Sequence, residues 1–167
     1  ETGGVRVPEQ VSGDDAARAR AFVENHDAVV VKPARGEQGK GVAVGLRGGK
    51  EAKAAIDVAR KICNEVVVEE CVEGMDLRII VIDYRVVAAA VRKPASVIGN
   101  GKATVRELVE RQSRRRSAAT GGESAIPLDA ETERCLAVAG YALDDVPEPD
   151  ETITVRKTAN LHTGGTI

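Results

Sequence analysis

The chain has 167 residues, 24 Lys and Arg against 26 Asp and Glu, and a formal net charge of −2. That balance argues against nucleic acid as the main partner, and no stretch is long and apolar enough to span a membrane as a helix. Phe22, Tyr84 and Tyr141 are the whole aromatic supply, so base-stacking platforms are nearly absent and the core falls to Val, Ile, Leu and Ala. The length suits one well-cored domain or two small lobes. Cys63, Cys71 and Cys135 are widely spaced and contain no CxxC pair, which implies neither a zinc site nor a disulfide framework. The N-terminus shows no signal peptide, and the expected setting is cytoplasmic.

Residues 1–10 read as an entry strand and turn. Ser12 and Asp15 have the spacing of a capping box for a helix to about Asn25, with His26 a surface residue at its end. An apolar strand over 28–31 then brings Lys32 to its tip. A loop holding Gly36, Gly39, Lys40 and Gly41 comes next, and a short strand over 42–44 returns. Glycine lets backbone amides turn toward a ligand without a Cβ in the way, and amides so arranged favour anions. A cation beside such a loop reads as a grip on a polyphosphate; the plain alternative is a hairpin with a polar tip. The P-loop pattern is not met, because Ala34 stands where it needs glycine and Gly41 where it needs Ser or Thr. The dinucleotide fingerprint and the kinase glycine-rich loop fail beyond Gly41, where a strand-like run reaches Gly45 at the wrong spacing.

Ala52, Ala55, Ile56, Ala59 and Ile62 share one face of a helix expected over 50–63, and 65–70 is an apolar strand with an acidic end. Residues 1–72 thus read as a small α+β lobe. Beyond it, strands over 77–82 and 85–91 meet at a tight turn on Asp83 and Tyr84. Residues 94–101 are punctuated by Pro and Gly as a turn region. Thr104 and Glu107 form a second capping-box spacing for a helix to about Gln112. The arginine-rich, polar stretch 113–124 is expected to be a disordered loop. A helix over 128–140 and a strand over 152–157 precede the ending NLHTGGTI. The region 73–167 therefore reads as a partial second lobe with an inserted helical and loop segment at about 94–151.

Two further segments carry chemistry. At Glu69, Glu70 and Val72 a strand leaves the first lobe, and its free backbone groups suit the edge of an adenine, while a nearby carboxylate suits ribose hydroxyls; the alternative is an acidic turn at a boundary. Asp76 and Arg78 alternate onto one face of an extended strand. Arg78 either pairs with Asp76 or faces a phosphate or a substrate carboxylate.

Taken in order, VVVKP, GEQGKGV, VVVEECVEGMDLRIIVI, VVAAAVRKPA, GNGKATVRELVE and VRKTANLHTGGT resemble the ATP-grasp superfamily. Within it the similarity is to the group holding cyanophycin synthetase, bifunctional glutathione-synthesising enzymes and N-acetylglutaminylglutamine synthetase, and the ending NLHTGGTI leans toward the last. The resemblance implies an α+β fold of two lobes clasping ATP. It also implies an ATP-dependent carboxylate–amine ligase that forms an amide through an acyl phosphate. It gives Lys32 the α- and β-phosphates, the loop Gly36, Gly39, Lys40 and Gly41 the role of a cover, and Glu69, Glu70, Val72 and Asp76 the adenine and ribose. Arg78 and Arg92 face the triphosphate or acyl phosphate, and Asn160 and His162 the substrate end.

In that family Mg²⁺ is bound by an acidic pair and an asparagine downstream of TGGT, so the metal ligands are expected outside this chain. The expectation is an internal piece of a larger ligase, inactive alone, with glutamyl or glutaminyl compounds as candidate substrates. The arginines at 111 and 114–116 read as a solvated run or a lure for acidic substrates. A non-catalytic nucleotide-binding or interaction module that retains the fold is the alternative function. A kinase-like activity is disfavoured because its catalytic-loop motifs are missing.

Overall fold

The computed structural model describes residues 4–167, and the chain divides after Gly74 into two compact units, each with its own apolar core. The first unit is a four-stranded antiparallel sheet in the order β1-β4-β2-β3. These strands are β1 (Gln10–Ser12), β2 (Val29–Pro33), β3 (Ala43–Leu46) and β4 (Val66–Glu70). Helices α1 (Ala16–Glu24) and α2 (Gly49–Arg60) join them. Period-2 alternation decides the packing. Val29, Val31, Val66 and Val68 are fully buried against the helices, while Val30, Lys32, Val67 and Glu69 stand half-buried on the opposite face.

The face expected of α2 is present: Ala52, Ala55, Ile56 and Ala59 are buried. Ile62 lies past the helix end and is 45% exposed. The cap of α1 differs from the capping-box reading. Asp15, not Ser12, accepts the Arg18 amide at 3.0 Å, while Ser12 Oγ accepts the Asp14 amide at 3.2 Å. Two good cap residues compete here, and the one adjacent to the first helical turn wins.

The second unit begins with a two-stranded ribbon, β5 (Asp76–Ile82) and β6 (Arg85–Arg92). Asp83 and Tyr84 both have positive φ, 48° and 61°, the backbone of a type I′ turn whose twist matches that of the flanking strands. Strands β7 (Ser96–Ile98) and β8 (Thr152–Thr154) pair antiparallel. Helices α3 (Val105–Ala119) and α4 (Ala130–Val138) complete the unit, with a single 3₁₀ turn at Leu161–Thr163. Its core joins Val97, Val105, Val109, Leu136, Ile153 and Val155. The capping box at Thr104 and Glu107 is present in both directions.

Three expectations are corrected here. The entry strand read within residues 1–10 begins only at Gln10, where turn was expected, and residues 1–3 lie outside the described residues. Residues 96–98, read as turn, form a strand. The stretch 113–124, read as a disordered loop, is helical through Ala119 and is tied down beyond it. The physical reason is long-range. Ser113 Oγ accepts the Ile126 amide at 3.0 Å, and Arg116 reaches across to Gly165, contacts that composition alone does not reveal.

Candidate functional site

On the first unit, β2 presents Lys32 and β4 presents Glu69 to the half-buried face. Their register, Val30 opposite Glu69 and Lys32 opposite Val67, makes them diagonal neighbours. Lys32 Nζ donates to Glu69 Oε2 at 2.6 Å, with the side chains 38% and 17% exposed. The lysine is thus paired with the carboxylate, and an incoming phosphate has to share it.

Between β2 and β3 runs the glycine loop. Gln38, Gly39 and Gly41 have φ of 59°, 71° and 69°, and Lys40 and Val42 amides donate to Glu37 and Gly39 carbonyls. Gly41 is required on two counts. Its φ is left-handed, and a Cβ would sit 2.6 Å from Ile62 Cδ1 and 3.2 Å from Pro33 Cγ. Gly36 meets only ordinary contacts, and Lys40 is exposed. At the other end of the unit Glu70 is half-buried and Val72 and Glu73 are exposed.

On the second unit the ribbon register sets Asp76 opposite Arg92. Arg92 Nε and Nη2 donate to the two Asp76 carboxylate oxygens at 2.8 and 2.9 Å, a bidentate fork. Arg92 thus takes the place at Asp76 that alternation alone offered to Arg78, which is exposed. Both arginines line one groove of about 200 Å³ with Ile80, Ala88, Leu161 and Ile167.

The groove is lined on one side by Leu161 and Ile167, and an isolated antiparallel bridge holds that segment: Lys93 and Thr166 exchange both backbone bonds at 2.8 and 2.9 Å. Within it Asn160 Oδ1 accepts the His162 amide at 2.8 Å, capping the 3₁₀ turn. His162 is exposed, and its Nδ1 lies 3.0 Å from the Glu123 carbonyl. A carbonyl only accepts, so Nδ1 carries a proton, and Nε2 has no hydrogen-bond partner among the described residues.

Arg116 is a residue whose part composition does not disclose. Half-buried, it donates to the Gly165 carbonyl and, at 3.1 Å, to Ser124 Oγ. Ser124 is 4% exposed and donates onward to the Leu161 carbonyl. The arginine run is therefore not one thing: Arg114 and Arg115 face solvent while Arg116 braces the segment carrying Asn160 and His162. Arg116→Ala is expected to cost about 2 kcal/mol, the loss of charge-assisted bonds to partly buried acceptors. Amide hydrogen exchange over 160–166 should accelerate. Arg115→Ala, a surface change, should stay within about 0.5 kcal/mol and leave that exchange unaltered.

Arg156 is a second residue that no local pattern points to. Its side chain is 4% exposed, and Nη1 donates to Asp129 Oδ1 at 2.7 Å and Thr132 Oγ1 at 3.0 Å. Burial pushes the Cys135 thiol up, which makes it a packing residue rather than a nucleophile. Among the described residues no helix is long and apolar enough to cross a membrane.

Comparison with known proteins identifies the fold and the family. The family described as "Prokaryotic glutathione synthetase, ATP-grasp domain" matches residues 5–118. A cyanophycin synthetase from a Nostoc species is 39% identical over 156 residues, covering 92% of this chain and 17% of that protein. The glutathione biosynthesis bifunctional protein of Listeria welshimeri is 32% identical over 170 residues, covering 96% of this chain and 22% of that protein. A bifunctional glutathione synthetase from Pasteurella multocida, a solved structure, is 27% identical with a TM-score of 0.47, over 98% of this chain and 23% of that one. The chain thus spans about a fifth of the length of the relatives it matches. With the family matched over more than half its length, and an α+β build of antiparallel sheets and helices, this chain belongs to the ATP-grasp domain family of the prokaryotic glutathione synthetases.

Proposed function

We propose that the chain is the ATP-binding part of an ATP-dependent carboxylate–amine ligase. In the reaction proposed, a substrate carboxylate oxygen attacks the γ-phosphorus of ATP and ADP leaves. The amine then attacks the acyl phosphate carbon, phosphate leaves, and an amide remains. The observation that carries this reading is the pairing of Lys32 with a left-handed glycine loop on one hairpin. A cation beside a glycine loop is what a polyphosphate needs.

Each candidate residue has a stated part in the proposal. Lys32 neutralises the α- and β-phosphates once Glu69 releases it or shares it. Residues 36–41, with Gly36, Gly39, Lys40 and Gly41, close over the phosphates and exclude water from the acyl phosphate. Glu69, the backbone of Glu70 and Val72, and Asp76 hold adenine and ribose. Arg78 and Arg92 offset the charge that develops on the transferred phosphoryl group. Asn160 and His162 meet the substrate, for which glutamyl or glutaminyl compounds are the proposed class. Mg²⁺ would supply charge neutralisation at the phosphates, with ligands proposed outside this chain.

The test is thermal unfolding with and without ATP–Mg²⁺. At about 100 times its dissociation constant ATP should add roughly 2.7 kcal/mol to the native state. Lys32→Ala should abolish that gain; because it also leaves the half-buried Glu69 without its partner, the gain is read against the variant's own unliganded melting temperature. A gain that survives Lys32→Ala would overturn the phosphate assignment.

A further inference from the structure

A second cluster of ligating groups lies at the other end of the first sheet, away from the glycine loop. Glu9 and Glu70 are direct neighbours across the extension of the β1–β4 ladder. The Glu70 amide donates to the Glu9 carbonyl at 2.9 Å, and the Glu9 amide donates to Glu70 Oε2 at 3.1 Å. Two carboxylates facing each other across a ladder repel and destabilise it unless a cation sits between them. The Glu70 side chain is only 18% exposed, so water screens the repulsion weakly.

The third member is His26, which from sequence reads as a surface residue. It is half-buried at the end of α1, its ring stacked on Phe22 at a centroid distance of 4.0 Å. Nδ1 lies 2.8 Å from the Phe22 carbonyl. That carbonyl can only accept, so the Nδ1 proton is fixed there and the ring orientation with it. Nε2 is thereby aimed at Glu9 Oε2, 3.6 Å away. A lone pair facing a carboxylate oxygen is repulsive unless a proton or a metal ion lies between them. A backbone carbonyl holding the far nitrogen is the arrangement that orients metal-binding histidines.

We infer that Glu9, His26 and Glu70 form a binding site for a divalent transition ion of the zinc class. One ligand atom from each lies within 4.8 Å of the others. The 3.6 Å from Nε2 to Oε2 is close to the edge of about 3.3 Å of a tetrahedron with bonds near 2.0–2.1 Å. The Glu9 side chain is 74% exposed and is the arm that closes. One imidazole with two carboxylates suits zinc better than magnesium, which prefers all-oxygen octahedra; the Glu70 side chain holds this ion, while its backbone is the part proposed for adenine. Arg6 competes for it: its guanidinium lies 3.7 Å from Glu70 Oε1 but is 90% exposed, a loose surface contact that an ion displaces.

The experiment is a Co²⁺ titration of the whole chain in the absence of nucleotide, monitored by visible absorption, with Zn²⁺ added afterwards. One equivalent should bind with d–d bands and without the near-ultraviolet band of a cobalt–thiolate bond, and Zn²⁺ should bleach it. His26→Gln and Glu9→Gln should each weaken binding at least the roughly 10-fold that loss of even an outer partner costs. Arg6→Ala should tighten it. Binding unchanged in both His26→Gln and Glu9→Gln, or a thiolate band from Cys63 or Cys71, overturns the proposal. So does the absence of any stoichiometric binding. Circular dichroism of each variant checks folding, and the exposed Glu9 keeps the question answerable if His26→Gln fails to fold.

Discussion

Gly164→Ala is expected to destabilise the second unit by about 3 kcal/mol, the sum of overpacking and backbone strain. Gly164 has φ of 92°, and a Cβ there would overlap Ile126 Cγ1 and lie 3.3 Å from Ala95 Cβ. Ile126 is 4% exposed and packed in the second core. Gly122 is the control, because its φ is nearly the same at 94° while, among the described residues, nothing lies within 4 Å of the added atom. Gly122→Ala therefore carries only the left-handed strain, about 1 kcal/mol. The difference between the two variants isolates packing. In thermal melts of a domain this size each kcal/mol is worth roughly 4–8 °C. Equal shifts for the two would mean that the segment after Leu161 relaxes away from Ile126 and that the glycine is there for its φ alone.

Asp129→Ala is expected to cost about 3 kcal/mol, at the lower end for breaking a buried ion pair from one side. Asp129 acts twice. It accepts the Thr132 amide at 3.0 Å as the N-cap of α4, and it accepts Arg156 Nη1 at 2.7 Å. The cap alone accounts for about 1 kcal/mol. The rest comes from Arg156, whose guanidinium is nearly sealed and would keep only Thr132 Oγ1 as a partner for Nη1. Asp129 is itself 48% exposed, so water partly replaces its carboxylate, which is why the figure is not larger. Asp129→Asn keeps the cap oxygen and discards the charge, and should recover more than half of the loss in urea denaturation. Arg156 opens the segment that leads to Asn160 and His162, so the same variant should loosen the groove beside Arg78 and Arg92.

Local pattern goes far in this chain where local physics decides. The spacing of Ala52, Ala55, Ile56 and Ala59 locates α2, Thr104 with Glu107 locates the start of α3, and Asp83 with Tyr84 locates the ribbon turn. It fails where a distant partner decides. Residues 96–98 are too few, and too closely flanked by Pro94 and Gly99, to read as a strand without β8 beside them. The helix through Ala119 has a polar surface that looks like loop, and Ser113 bonding Ile126 with Arg116 reaching Gly165 shows why it stays ordered. At the candidate site the residue types are legible, but their partnerships are not. Lys32 with Glu69 and Asp76 with Arg92 depend on strand registers, which no single segment encodes. His26 escapes a local reading for the same reason: its ring is set by Phe22, and its neighbours Glu9 and Glu70 come from the residue before β1 and the end of β4.

The division after Gly74 has a practical consequence for any unfolding measurement on this chain. Both tyrosines, Tyr84 and Tyr141, fall in the second unit, and the chain has no tryptophan. Intrinsic fluorescence and near-ultraviolet dichroism therefore watch the second core and are almost blind to the first, where Phe22 is the single aromatic chromophore. Tyr84 stands wholly in solvent at the ribbon tip, leaving half-buried Tyr141 as the sensitive reporter. A loss of cooperativity between the two cores would show as far-ultraviolet and fluorescence transitions that fail to coincide. Phe22→Trp, its ring against His26, would give the first core a reporter of its own.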